Sequence, residues 1–127
     1  MKNFKALAII LIIVLSNSVF ASDNKFDVAL QKANKNNKEV LMMYSAVYCP
    51  ECEYMKEVVL KDPKIANYIK QRFVVIIIDV DKDKLPKGFD HMGIPYFFVI
   101  DKSGKKIGEI IGGSKTDKFL KKLEAIK

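Results

Sequence analysis

The only two cysteines of this 127-residue chain stand three positions apart, in Cys49-Pro50-Glu51-Cys52. They follow a short apolar run that is typical of a strand, and they begin a run with helical periodicity. Residues i and i+3 of a helix lie on one face, close to the Cα separation of about 5.5 Å that a disulfide prefers. The motif therefore predicts a strand-to-helix junction at which a disulfide closes and reopens without refolding of the chain.

The two sulfur atoms are expected to differ in role. Cys49 lies beside the free N–H groups and the positive end of the helix dipole, which stabilise a thiolate, so we expect it to be the nucleophile. Cys52 lies one turn deeper, in register with Met55 and Val59 on the apolar side of the helix. It is therefore expected to be the shielded, resolving thiol.

The N-terminal segment has the pattern of an export signal. Lys2 and Lys5 precede an unbroken apolar stretch at 6–15, and small residues before position 22 predict cleavage after Ala21. Retention as a membrane anchor is the alternative, but this stretch falls well short of the roughly 20 apolar residues that span a bilayer. We therefore expect a cleavable signal peptide at 1–21, a single mature domain at 22–127, and an exported protein, periplasmic if the source is a Gram-negative bacterium.

The formal net charge of +7 raises the question of an anionic partner. The lysines are scattered along the mature chain, and Arg72 is its only arginine, so no basic stripe is formed. Together with the predicted export, this pattern excludes nucleic acid as a partner and indicates a solvated basic surface.

Helical and strand-like patterns alternate along the mature chain. In order, they predict a helix over 23–36, a strand over 39–45, a helix after Cys49, a helical piece begun by Asp62 and Pro63, a strand over 73–80, strands at 95–100 and 105–111 joined as a hairpin, and a last helix capped by Ser114. Such a mixture predicts an α/β fold with a central mixed β-sheet flanked by helices on both faces.

Two of these elements carry a more detailed expectation. The 73–80 segment is the most strongly β-branched of the chain, which predicts a central strand buried on both faces. In the helix after the cysteines, the spacing places Tyr54 and Val58 with Met55 and Val59 on the side that faces the core.

The motif and its surroundings together resemble the thioredoxin fold. A strand leads into the CxxC helix, a second buried strand follows, Gly93-Ile94-Pro95 opens the hairpin, and a glycine pair precedes the last helix. The resemblance covers residues 26–126. It implies that Pro95 is the cis-proline of the family and that the backbone of Ile94 hydrogen-bonds an extended substrate peptide.

Several positions depart from the family pattern. Tyr48 replaces the tryptophan that precedes the first cysteine in thioredoxins, and Met43 stands where many of them place a buried aspartate. Proton transfer to Cys52 must then use another group, such as Glu51, Glu53 or water. DsbA-like oxidases have a histidine where Glu51 stands, and a carboxylate there disfavours a neighbouring thiolate, which predicts a potential nearer the reducing end.

Pro50 is expected to shift the potential little, because a proline at a helix start removes an N–H that had no intrahelical partner. With Tyr48 and Ile94 it is expected to form an apolar rim around the disulfide.

The resemblance implies an exported thiol-disulfide oxidoreductase that exchanges the Cys49–Cys52 pair with substrate proteins in the reducing direction. Its partners would be substrate proteins with disulfides or thiols and a membrane redox partner, and it would act as a monomer with no cofactor. The main alternative is a copper-binding chaperone on the same scaffold, with Cys49, Cys52 and His91 as ligands. His91 otherwise reads as a loop residue, and a purely structural disulfide is disfavoured because so short a loop removes little chain entropy.

Overall fold

The computed structural model describes residues 24–127, so the predicted signal peptide at 1–21 lies outside the described residues. The elements in chain order are α1 (Lys25–Asn36), β1 (Glu39–Ser45), α2 (Pro50–Tyr54), α3 (Pro63–Arg72), β2 (Phe73–Asp79), β3 (Tyr96–Ile100), β4 (Lys106–Ile111) and α4 (Thr116–Ala125). A π-helical turn at Met55–Val59 continues α2 without a break. Within 24–127, none of the helices has the length and apolar character to cross a membrane.

Local signals set the ends of α1 and α3. The Asn24 side chain accepts a hydrogen bond from the Phe26 N–H, and Asn37 closes α1 in the left-handed conformation. The Asp62 side chain likewise accepts from the Lys64 N–H, with Pro63 in the first turn, as the sequence predicted. Each helix therefore begins at a residue whose side chain replaces a missing backbone partner.

The four strands form one mixed sheet in the order β2-β1-β3-β4. β1 runs parallel to β2 and antiparallel to β3, and β4 runs antiparallel to β3. Helices cover both faces: α2, α3 and α4 contribute to one apolar cluster, whereas α1 packs on the other side with Phe89. The predicted α/β fold, with a central mixed sheet flanked by helices on both faces, is confirmed.

The prediction of a central, doubly buried strand at 73–80 is wrong. β2 is an edge strand, and both Val75 and Ile77 keep 37% of their surface exposed. The centre of the sheet is formed instead by β1 and β3, because β3 pairs with β1 across a long stretch of sequence. A β-branched run marks a strand but does not fix its place in the sheet.

Two expectations about helical faces are also wrong. Tyr54 and Val58 are exposed, whereas Cys52, Met55 and Val59 are fully buried. One residue along a helix turns the side chain by about 100°, so only the narrow 52-55-59 stripe meets the sheet.

The expected cap of the last helix is also not formed. α4 begins after Lys115, with no side-chain cap bond, so the predicted Ser114 cap is wrong. The Ser114 N–H donates instead to Met55 Sδ at 3.4 Å. The residue therefore serves the packing of the loop before α4 and not the start of the helix.

Candidate functional site

A disulfide joins Cys49 and Cys52 at the point where β1 passes into α2. The six residues from Val40 to Ser45 are buried and fix the end of the strand, and Cys49 becomes the N-cap of the helix. Its Sγ accepts the Cys52 N–H at 3.1 Å, and the two Cα atoms are 5.2 Å apart. The helix start therefore supplies both the spacing for the disulfide and a hydrogen-bond donor to the outer sulfur.

The two cysteines differ in access to solvent. Cys52 is fully buried within the apolar cluster on the α2 side of the sheet. Cys49 is only partly buried and packs against the same cluster. Only one sulfur of the pair is thus open to a large reactant, which is the division of access that the sequence predicted.

The turn before β3 forms a second part of the site. The Ile94–Pro95 peptide bond is cis, and Pro95 is buried whereas Ile94 is partly exposed. The Ile94 side chain packs against the apolar clusters of both sheet faces. This turn therefore lies at the edge where the two halves of the core meet.

The loop between β4 and α4 connects these two parts. The Gly112 N–H donates to the Pro95 carbonyl at 2.9 Å, and the Gly113 N–H donates to Glu51 Oε1 at 3.1 Å. Glu51, expected to tune the potential or to assist proton transfer, is thus also the contact between the CxxC motif and a loop 62 residues away in sequence.

Exposed apolar side chains lie in the segments that lead into the disulfide, into the cis-proline turn and out of β4. Tyr48 is 71% exposed and Met92 84%, and Val47 and Ile111 are exposed as well. Of these four, only Tyr48 was named from the sequence. Met92 was open to prediction from its place in a loop next to Gly93-Ile94-Pro95, whereas Ile111 reads as an ordinary strand residue.

His91 contacts neighbours of its own loop and strand. Its Nδ1 lies 3.1 Å from the Gly93 carbonyl oxygen, and its ring meets the Tyr44 ring edge-on at 5.0 Å. Within residues 24–127 no three His, Cys, Asp or Glu side chains come close enough to hold a metal ion. Cys49, Cys52 and His91 thus do not form one ligand set among the described residues, and the copper-binding alternative stays a prediction that no contact here supports.

Tyr44 anchors the long connection between β2 and β3. Its hydroxyl donates to the Phe89 carbonyl at 2.9 Å. Burial, followed by the nearby charge of Asp90, raises the pKa of Tyr44 to about 12. The phenol therefore stays protonated as a hydrogen-bond donor over the physiological range.

No carboxylate is buried near Cys52 in the part of the chain that the structure describes. Met43 is fully buried at the position discussed above, Glu51 bonds Gly113, and Glu53 is exposed and pairs with Lys56 at 3.1 Å. Proton movement at Cys52 therefore depends on solvent or on groups that approach from the surface.

Residues 26–127 match the family model described as the thioredoxin-like domain. Over 106 residues, 80% of this chain, the sequence is 27% identical to the thiol:disulfide interchange protein DsbD of Campylobacter jejuni. The chain spans only 18% of the length of that relative.

Two solved structures show the same architecture. The solution structure of a thioredoxin from Thermus thermophilus is 28% identical, with a TM-score of 0.68 over 81% of this chain and 84% of that chain. The C-terminal domain of DsbD from Neisseria meningitidis in its reduced form is 26% identical, with a TM-score of 0.65 over 80% of this chain and 93% of that chain. The likeness to DsbD thus extends over nearly the whole of that one domain.

Proposed function

The chain belongs to the thioredoxin-like domain family of thiol-disulfide oxidoreductases, and we propose that it is exported and reduces disulfides in substrate proteins outside the cytoplasm. The observation that carries the proposal is the unequal access of the two sulfurs at one helix start. Cys49 is partly exposed, and its Sγ accepts a hydrogen bond from the Cys52 N–H. The Cys52 side chain, one helical turn further along, is buried.

The reaction uses the two thiols in sequence. The Cys49 thiolate attacks one sulfur of a substrate disulfide, forming a mixed disulfide and releasing one substrate thiolate. Cys52 then loses its proton and attacks Cys49 Sγ, which closes the Cys49–Cys52 disulfide and releases the second substrate thiolate. Two electrons pass from the chain to the substrate, and a dithiol partner returns them.

The Cys52 N–H assists the first step. It donates to Cys49 Sγ in the disulfide form, and the same donor stabilises negative charge on that sulfur when the disulfide opens. The positive end of the α2 helix acts in the same direction.

The exposed apolar residues around the disulfide are proposed to receive the substrate chain. Tyr48 and Met92 supply apolar contact, and Pro50 and Ile94 complete the rim. In this proposal the backbone of Ile94, held by the cis bond to Pro95, pairs with an extended segment of the substrate.

The proposed reducing direction is supported by Glu51. A carboxylate between the cysteines disfavours the Cys49 thiolate, so the reduced form is less stable and donates electrons more readily. The likeness to the C-terminal domain of DsbD supports a membrane redox partner as the electron source.

Export is supported by the N-terminal pattern, and N-terminal sequencing of the exported protein, expected to begin at Ser22, tests it.

The decisive experiment measures the reduction potential of the Cys49–Cys52 pair in equilibrium with glutathione or dithiothreitol. A value near the roughly −270 mV of thioredoxin is expected for a reductase, whereas one near the −120 mV or so of DsbA would reverse the direction. Mass spectrometry of a Cys52→Ala variant should find substrate proteins joined to Cys49. A matched Cys49→Ala variant should trap none, and equal trapping by both would contradict the assigned roles.

A further inference from the structure

The loop between β4 and α4 donates three successive backbone N–H groups to the rest of the site. Gly112 bonds the Pro95 carbonyl, Gly113 bonds the Glu51 carboxylate, and Ser114 bonds Met55 Sδ. The first of these bonds goes to the cis-proline turn and the other two to the disulfide helix. The loop thus determines how these two elements sit relative to each other.

The two glycines of this loop are required for different reasons. Gly112 has φ of 76°, a left-handed conformation that favours glycine, and a Cβ there would meet nothing within 4 Å. At Gly113, φ lies outside that region, but a Cβ would lie 2.7 Å from Glu51 Oε1 and 2.8 Å from Glu51 Cγ. A side chain at position 113 would therefore enter the space that the Glu51 side chain occupies.

A long exposed side chain gains little from a contact unless the partner is well suited to it. Here an anionic acceptor meets a backbone N–H, a charge-assisted pair that is stronger than a neutral hydrogen bond. The contact joins residues 62 apart in sequence, so it restrains the loop against α2 and not merely the local helix turn.

We propose that Glu51 is a positioning residue, whose carboxylate docks on the Gly113 N–H and holds the 112–114 loop against the disulfide helix for the arriving substrate chain. The effect on substrate binding rests on the proposed function, since the loop follows Ile111, an exposed apolar residue at the end of β4 that pairs with Tyr96 next to the cis-proline turn. It goes beyond redox tuning, because it assigns to Glu51 an effect on substrate binding that is separate from its effect on the Cys49 thiolate.

Three variants separate docking from charge. Glu51→Gln keeps an oxygen acceptor of nearly the same shape and removes the charge. Glu51→Ala removes both, and Gly113→Ala keeps the Glu51 charge while filling its docking space. Glu57→Ala is the matched control, because Glu57 is an exposed carboxylate of the same helical segment and pairs with Lys61.

The measurements are amide hydrogen exchange at Gly113 and Ser114 by NMR, and KM and kcat for reduction of a protein disulfide such as that of insulin. Glu51→Ala and Gly113→Ala are each expected to speed exchange and to raise KM about fivefold, with kcat changed less than about twofold. Glu51→Gln, which keeps a neutral acceptor, is expected to give an exchange rate and a KM between those of Glu51→Ala and the unmodified protein. The double variant Glu51→Ala/Gly113→Ala should have the same exchange rate and the same KM as either single variant, since both changes remove the same contact.

Two results would overturn the proposal. If Glu51→Gln behaves like Glu51→Ala while Gly113→Ala matches the unmodified protein, Glu51 acts through its charge alone. If none of the variants changes exchange at Gly113, the carboxylate does not restrain the loop. A protein that reduces no protein disulfide would refute the proposed function instead, and the exchange measurements would still decide whether Glu51 docks.

Discussion

The two ends of the sheet are built from the same four strands, yet they present different surfaces. The end that carries the disulfide is formed by the segments 46–49, 80–83, 92–95 and 111–114, and we call it the disulfide end. It exposes large apolar side chains, namely Val47, Tyr48, Met92 and Ile111. The opposite end is formed by 37–39, 72–73 and 101–105, and none of these described residues is an exposed large hydrophobic.

Polar side chains at the opposite end bond one another and nearby backbone. Arg72 donates through Nε to Glu39 at 2.7 Å and through Nη1 to the Tyr68 hydroxyl and the Leu123 carbonyl, at 2.8 and 3.0 Å. In the β3–β4 turn, hydrogen bonds from Ser103 and from the Lys105 N–H lower the pKa of Asp101. One end of the sheet is thus held by polar side-chain contacts, whereas the disulfide end keeps large apolar side chains exposed, where the proposed substrate chain would bind.

Breaking the opposite end should cost the most stability and leave the chemistry intact. Arg72→Ala removes three hydrogen bonds and leaves Glu39 without its cation, so the free energy of unfolding should fall by about 2–3 kcal/mol. Urea unfolding at pH 7 measures this, with exposed Lys121→Ala as the control. A change in the reduction potential of the disulfide in Arg72→Ala would show that the two ends are not independent.

A smaller loss of stability is expected when the hydrogen bond between β1 and the β2–β3 connection is removed. Tyr44→Phe leaves the buried Phe89 carbonyl without its donor, which should cost about 1–2 kcal/mol at pH 7. The folded protein raises the pKa of Tyr44 to about 12, whereas an unfolded tyrosine titrates near pH 10. This contribution is therefore complete below pH 10 and is lost as the pH rises from 10 to 12.

The stability gap between the unmodified protein and Tyr44→Phe should accordingly narrow by about 1 kcal/mol at pH 11. Urea unfolding at pH 7, 9 and 11 gives the gap directly. Exposed Tyr54→Phe serves as the control for the loss of a phenol at the surface. A constant gap from pH 7 to pH 11 would mean that Tyr44 ionises at its ordinary pH in the folded state.

Truncating the exposed apolar side chains of the disulfide end should weaken the binding of a protein substrate without lowering the free energy of unfolding. Tyr48→Ala and Met92→Ala should each lower kcat/KM for a protein disulfide about fivefold, while the free energy of unfolding stays within about 0.5 kcal/mol. Reduction of a small disulfide should be unaffected. Val28→Ala is the matched control, because Val28 is exposed on α1 away from this end. An equal loss of kcat/KM in Val28→Ala would show that the effect is not specific to the disulfide end.

The smallest effect is expected at Ser45, the last residue of β1 at the disulfide end. Its side chain is buried, and Oγ has no hydrogen-bond partner among residues 24–127. Ser45→Ala should therefore leave stability unchanged or raise it by up to about 1 kcal/mol, because an unsatisfied hydroxyl is removed from the interior. Thermal unfolding tests this against Ser103→Ala, which loses a hydroxyl bonded to Asp101. Destabilisation by Ser45→Ala would show that the hydroxyl has a partner in solution.

The sequence predicted those features that depend on neighbouring residues. The bounds of β1, the Asp62 cap and the spacing of the two cysteines follow from local periodicity and capping chemistry. The place of β2 at the sheet edge does not, because the pairing of β1 with β3 decides it. The approach of Glu51 to Gly113 was equally out of reach, since it depends on the path of the chain between two residues 62 positions apart.

The order of the strands also decides when the chain can complete its sheet. β1 is made first, yet it lies in the centre, and Val40 and Tyr44 pair with Ile100 and Tyr96 of β3. Closing loops of roughly 50–60 residues costs entropy before these pairs form, which is typical of topologies that fold slowly. β1 can pair with β2 as soon as residue 79 has been made, but its other edge stays unpaired until β3 has been synthesised, a delay that suits the proposed passage through a membrane before folding.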